Sequence, residues 1–324
     1  LRAGGLAAAS SLIVPRRALA FGHGTNLPTL QSSYVAQSFG IFLHFNMSTF
    51  ENVELASGTA NPNDFNPSSL SIDQWITNIT TAKAKYACLT AKHRDGFCLW
   101  PTATTTHSIV SSSPFYANSG SLDIASSFIT KCRAASLAPV LYFSNRDTSF
   151  EANNPGFTQA AYKAYLKAQL AELLVNYGPL TAIWTDDTEW DNSGAPWTGT
   201  SYPWATPAEY LNFVRSYQPG IMLINNSHTG NLSDSHIVEF EADTGNGTPP
   251  SNNTFPAECC QTSRSDNNWF WKTTFSAAKS SATLISNLIT FNSYGSSYLL
   301  NCPPDTTGNI PSETVTLMAA MGAR

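Results

Sequence analysis

The sequence predicts a single domain folded as a (β/α)8 TIM-like barrel. Three observations carry that prediction. Short, nearly continuous apolar runs recur along the chain, each brief enough for a strand and apolar enough to be buried on both faces. Helical stretches separate them over one undivided chain of 324 residues, the alternation that a ring of parallel strands requires. Polar or ionisable residues directly follow the runs, at the strand ends where a barrel gathers its chemistry.

The strand-like runs are residues 39–45, 86–93, 138–144, 181–186, 221–226, 236–242 and 298–303, and an eighth strand is expected near 255–261. The first helix spans 71–82, with Ser71 as its cap and Ile72, Trp75, Ile76 and Ile79 on one face. Helices over 122–135 and 158–177 follow, the second stopped by Gly178-Pro179. The next, 207–217, opens with Thr206 as cap and Pro207 at the first helical position. Stretches 279–291 and 312–321 complete the ring. Residues 25–324 form the expected barrel domain. Residues 1–24 read as a signal or pro-segment or an N-terminal arm, with Arg2, an apolar stretch over 6–14 and the small-x-small site at 18–20.

Charged residues make up 12% of the chain and the net charge is −5. A soluble domain typically carries about 25% charged residues, so this surface is polar but largely neutral. With no basic stripe, nucleic acid and anionic membranes are excluded as expected partners. A hydrophobic fraction of 42% excludes disorder and supports a sizeable core. No apolar run is long enough to span a bilayer. The 6 cysteines, Cys88, Cys98, Cys132, Cys259, Cys260 and Cys302, fit neither a disulfide scaffold nor a zinc pattern. No metal and no cofactor are expected. Glycosylation sequons at Asn46, Asn78, Asn225, Asn231, Asn246 and Asn252 favour a secreted protein, with Asn46 expected to be buried.

The strand ends read His44, then Lys92-His93-Arg94-Asp95, Tyr142, Asp186-Asp187, and Glu239 with Glu241. Histidines, a tyrosine and several carboxylates converging on one rim make a pocket suited to hydroxyl groups. Trp100, Trp184, Trp269 and Trp271 offer apolar faces for a sugar ring. Paired carboxylates in such a pocket point to a carbohydrate-active enzyme.

The segment SFGIFLHFNMSTFENVELASGTANPNDFNPSSLSIDQWI, followed by LTAKHRDGFCLWPT, resembles glycoside hydrolase family 29, the α-L-fucosidases. The resemblance is closest to the subgroup acting on α-1,3- and α-1,4-linked fucose. It continues through IWTDD, PAECCQTSRSDNNWFW and YLLNCPPDTTGNIP, and covers residues 39–322. The resemblance implies a retaining fucosidase acting on fucosylated oligosaccharides, without the C-terminal β-domain that many members carry.

Carried over residue by residue, the resemblance makes Asp186 the nucleophile; Asp187 points to the opposite face of the strand and reads as structural. DSHIVEFE aligns with the subgroup's acid/base strand and places the acid/base at Glu241. Glu239, on the same side of that strand, and Glu258, in Pro256-Ala257-Glu258-Cys259, remain alternatives. Glu258 otherwise reads as a substrate contact. His44, Glu54, His93, Tyr142, Trp184 and Trp269 are expected to hold or line the fucose. Arg94 stands where the family has a second histidine, Leu55 where it has tryptophan, and Asn145-Arg146 where it has proline-tryptophan. Glu239-Phe240 replaces a glycine-asparagine. In this chemistry Asp186 is expected to sit among donors such as His93 or Arg94, and Phe240 and Glu239 to hold Glu241 protonated.

Overall fold

A computed structural model describes residues 26–186, 204, 206–228, 230–243, 247–274 and 277–324. The proposed leader, residues 1–24, lies outside the described residues, as does Asp187.

The chain enters through helix α1 (Leu27–Val35), capped by Asn26, and then strand β1 (Phe39–Leu43). Helices α2 (Met47–Glu51) and α3 (Ile72–Thr81) precede β2 (Tyr86–Lys92). Helices α4 (Ser113–Asn118) and α5 (Ile124–Ala134) lead to β3 (Ala138–Ser144). Next come α6 (Thr148–Asn153), α7 (Gln159–Asn176), β4 (Ala182–Asp186), α8 (Pro207–Tyr217) and β5 (Met222–Asn225). Strands β6 (Ile237–Glu241) and β7 (Ala257–Thr262), helix α9 (Ser281–Ser293), strand β8 (Ser296–Asn301) and helix α10 (Ser312–Ala323) finish the fold. The strands pair in chain order and β8 closes on β1, every pairing parallel. The predicted barrel is therefore the observed fold, its eighth strand within two residues of the expected place.

Alternation along each strand separates two cores. Inward-facing Phe42, Cys88, Val140, Tyr142, Trp184, Ile224 and Leu299 fill the barrel. Their outward neighbours Ile41, Leu89, Leu141, Phe143, Ile183, Leu223 and Leu300 pack under the helices. Helix α3 shows why these segments are helical: Ser71 Oγ accepts the Gln74 N–H at 3.2 Å, and Trp75 and Ile79 are fully buried. Helix α1 covers the opposite end of the barrel from the strand C-termini, with Tyr34 reaching into the interior core.

All six cysteines are buried free thiols. Among the described residues no helix is long and apolar enough to cross a membrane.

Four histidines are held neutral by burial: His44 is lowered, His93 is pushed down to about 3, and His107 and His236 each to about 4. In His236 the cost of charging is visible, because Nδ1 accepts the Leu223 N–H at 3.0 Å. The unfolded chain binds these protons from about pH 6.5 downward and the fold does not. The contribution of these histidines to stability is thus complete above that pH and is lost as pH falls toward about 4. For His236 alone the loss reaches about 3 kcal/mol. His236→Asn keeps an acceptor for Leu223 and removes the titration. Denaturant unfolding between pH 7 and 4 should show a shallower loss in that variant, and an unchanged slope would count against this account.

Candidate active site

The C-terminal ends of the strands open into one cleft of about 530 Å³, a size suited to a small ligand. It is lined by His44, Glu54, His93, Arg94, Tyr142, Trp184, Asp186, Glu241 and Trp269, every residue expected there except Glu258.

His44 follows β1. Its ring lies 5.1 Å from Trp269 and 4.2 Å from Phe42, and Nδ1 pairs with Asn301 Oδ1 at 2.9 Å. His93 reaches the cleft through a bulge. Between Thr90 and Lys92 the register of β2 on β3 shifts by one, so Lys92 turns outward and His93 inward. The outward Lys92 is fully buried and lies 3.3 Å from Asp147 Oδ2, 2.9 Å from Gln169 Oε1 and 4.2 Å from the Phe143 ring centre. Gly96 then makes the turn at φ +89°, against Asp147, where a Cβ would collide with the carboxylate. The whole TAKHRDG segment thus folds around one buried ion pair. Burial, followed by Arg94 for His93 and by His93 for His44, lowers both imidazoles. They enter the cleft neutral, each with one donor and one acceptor nitrogen.

Asp186 ends β4, level with Ser144 of β3. Tyr142 donates its hydroxyl to Asp186 Oδ2 at 3.3 Å, and Arg94 and His93 line the same cleft. Tyr142 also stacks on Trp184 at 5.4 Å and on His93 at 5.4 Å, giving the cleft an aromatic floor. Glu54 accepts the Trp269 N–H at 2.8 Å and lies 3.7 Å from Lys272, which fixes the Trp269 loop over the cleft. Burial raises the Glu54 carboxyl, and the Trp269 N–H draws it back.

Glu241 ends β6, and its Oε2 is held by Asn226 Nδ2 at 2.9 Å and His228 Nε2 at 3.2 Å. Phe240, expected beside it, points outward into the helix-side core. Glu239 lies two residues below on the inward face. The sequence reading missed Asn226, His228, Cys260, Asn267, Asn268 and Phe42 as lining residues. Asn226 and His228 were accessible by the same strand-end rule, since they directly follow the apolar run 221–226. Of the four tryptophans expected at the cleft, Trp184 and Trp269 line it; Trp100 is fully buried, with its indole N–H on Glu172 at 2.8 Å.

Glu258 does not line the cleft. It is fully buried and level with Glu239 in the β6–β7 register, while Cys260 stands level with Glu241 and takes the place at the cleft wall. Two residues down the strand from Cys260, Glu258 lies outside the lining of the cleft.

His228 is raised above its ordinary value by its hydrogen bond to Glu241 first, against burial, with the charges of Glu241 and Asp186 adding to the rise. Both carboxylates therefore act on one imidazole. In an NMR titration His228 should ionise above pH 6.5, and Glu241→Gln should bring its midpoint down. A midpoint unmoved by that substitution would separate the two side chains in solution.

A family model described as Alpha-L-fucosidase matches residues 50–323. Alpha-L-fucosidase 1 of Arabidopsis thaliana is 27% identical over 303 residues, which is 87% of this chain and 56% of the relative. Among solved structures, a glycoside hydrolase 29 family member from an unknown rumen bacterium is 27% identical, with a TM-score of 0.70 over 91% of this chain and 56% of that one. An α-L-fucosidase of Lactobacillus casei, solved with α-L-fucose product, has a TM-score of 0.72 over 91% of this chain and 97% of that one. Its 19% identity speaks for the fold alone. The chain spans little more than half the length of the curated relatives it matches, 56% in each case.

Proposed function

The chain belongs to the α-L-fucosidase family, and we propose that it is a retaining α-L-fucosidase releasing terminal α-1,3- or α-1,4-linked fucose from oligosaccharides or glycoproteins. One observation carries the reading: Asp186 and Glu241, from the ends of β4 and β6, share a cleft with His44, His93, His228, Arg94, Glu54, aromatic rings and amide side chains. Asp186 attacks the anomeric carbon, with Tyr142 orienting its carboxylate. Glu241 gives its proton to the departing oxygen and then activates water. Asn226 and His228 hold the Glu241 carboxyl at Oε2 beside the substrate space. His44 and His93 take up sugar hydroxyls, and Trp184 and Trp269 support the apolar face of the ring. The linkage preference is supported by the TAKHRDGFCLWPT and PAECCQ segments that resemble the α-1,3/1,4 subgroup.

Purified protein should hydrolyse 4-nitrophenyl α-L-fucoside in preference to the corresponding galactoside, xyloside and glucoside. NMR of the first-formed sugar should show the α-anomer, because two displacements restore the configuration. Release of the β-anomer would overturn the retaining mechanism, and turnover of another sugar alone would overturn the fucose assignment. Comparing Lewis-type trisaccharides with α-1,2-fucosyllactose tests the linkage.

The same reading includes secretion, and it makes a distinct prediction about glycosylation. Asn46, Asn78 and Asn225 are buried, whereas Asn231 and Asn252 are exposed; Asn246 lies outside the described residues. Expressed through a secretory pathway, the protein should carry glycans at Asn231 and Asn252 and none at Asn46, Asn78 or Asn225, as read by glycopeptide mass spectrometry. Glycan at Asn46, whose amide donates to the Phe97 carbonyl at 3.1 Å, would contradict the burial.

A further inference from the structure

A carboxyl pair that the proposed chemistry does not use lies inside the barrel. Both oxygens of Glu258 are occupied. Oε2 accepts the hydroxyls of Tyr34 and Tyr86, each at 2.6 Å, and Oε1 accepts the Trp184 indole N–H at 2.9 Å. Tyr34 comes from α1, the helix covering the far end of the barrel, and Tyr86 opens β2. Glu239 faces the pair from the adjacent strand, its Oε1 accepting the Cys260 N–H at 3.1 Å. Burial raises both carboxyls. The donors Tyr34, Tyr86, Trp184 and Glu239 pull Glu258 back, while the charge of Glu258 drives Glu239 further up. Both carboxyls are thus raised, Glu239 the further of the two.

A buried carboxyl pair is an expensive way to fill a barrel interior that branched aliphatic side chains fill elsewhere. Here one carboxyl oxygen fixes the orientation of one ring. Trp184 lines the cleft, packs edge-on against Phe42 at 5.3 Å and stacks on Tyr142 at an interplanar angle of 25°. Tyr142 in turn donates to Asp186. An indole pinned only by stacking can slide in its plane; a hydrogen bond at Nε1 fixes that last freedom.

We propose that Glu258 is a positioning residue: held from below by Tyr34 and Tyr86, it locks the Trp184 indole and, through the stacked Tyr142, the hydroxyl bonded to Asp186. The inference rests on the fucosidase reading for what the ring supports, and on the hydrogen bonds alone for the lock itself.

A double-mutant cycle tests it. Trp184→Phe keeps an aromatic plane and removes the N–H, and Glu258→Leu removes the acceptor. Glu258→Leu should lower kcat/KM on 4-nitrophenyl α-L-fucoside by about tenfold or more in the wild-type background. In the Trp184→Phe background the further loss should be less than about threefold. Equal losses in both backgrounds would overturn the proposal. If Glu258→Leu does not fold, Glu258→Gln replaces it, because the amide oxygen still accepts the indole N–H. That variant should retain kcat/KM within about threefold, with the Trp184 indole N–H resonance still downfield and protected from exchange. A loss of about 100-fold with the resonance unmoved would mark a role for the charge itself and overturn the proposal. If the wild-type protein turns over no fucoside, the functional reading falls and the spectroscopic arm still decides the lock. The Trp184 resonance must then shift and lose protection in the Tyr34→Phe, Tyr86→Phe variant, and an unmoved signal overturns the proposal.

Discussion

Asp186→Asn should lower turnover of an aryl α-L-fucoside by about 10⁴-fold or more, with the fold intact. The carboxylate is the only part of this side chain that can form the glycosyl–enzyme bond, and the amide that replaces it is a poor nucleophile. Asparagine is nearly isosteric, and its carbonyl still accepts the Tyr142 hydroxyl, so the strand end keeps its contact. Steady-state kinetics and a thermal melt together make the test. Near-wild-type turnover in a folded Asp186→Asn protein would remove the central mechanistic claim. Asp186→Ala adds a stereochemical check: azide filling the vacated space attacks the substrate once, so the product is the β-fucosyl azide.

The second large effect belongs to Glu241, and its signature depends on the leaving group. A general acid is worth roughly 10²–10⁴-fold when the departing oxygen is a poor leaving group, and far less when that group leaves as a stable anion. Glu241→Ala should therefore lose most of its activity on a fucosyl oligosaccharide and retain more on an activated aryl fucoside. Azide should then rescue the second step by attacking the fucosyl–enzyme without a base, after two inversions, giving the α-fucosyl azide. The two variants thus give azides of opposite configuration, and the same anomer from both would show that one of the roles is wrongly assigned. Asn226 and His228 lose their shared acceptor in Glu241→Ala, so Glu241→Gln is the better control for local structure.

Much of this architecture was legible in the chain. Apolar runs of strand length, helical stretches between them and caps such as Ser71 fix the barrel, because each obeys a local rule of burial, period or hydrogen-bond satisfaction. The strand-end rule found His44, His93, Tyr142, Asp186 and Glu241 for the same reason: the residue after a buried run is the first to reach the open rim. The resemblance to family 29 added Glu54, which lies on a loop where periodicity says nothing.

What the sequence by itself determined, then, is the order of elements, the face each strand residue presents and the rim on which the chemistry gathers. Depth and aim were decided by the tertiary structure. Glu239, Glu241 and Glu258 all point inward by alternation, yet the β6–β7 register sets Glu258 level with Glu239 and gives the cleft wall to Cys260. His93 faces the cleft only because a bulge on β2 turns Lys92 outward to Asp147, and His228 enters it from a loop with φ +55°. A period of two specifies a side of the sheet. Height within a closed barrel depends on how neighbouring strands are staggered, and that stagger is fixed only when packing around the whole ring is satisfied at once.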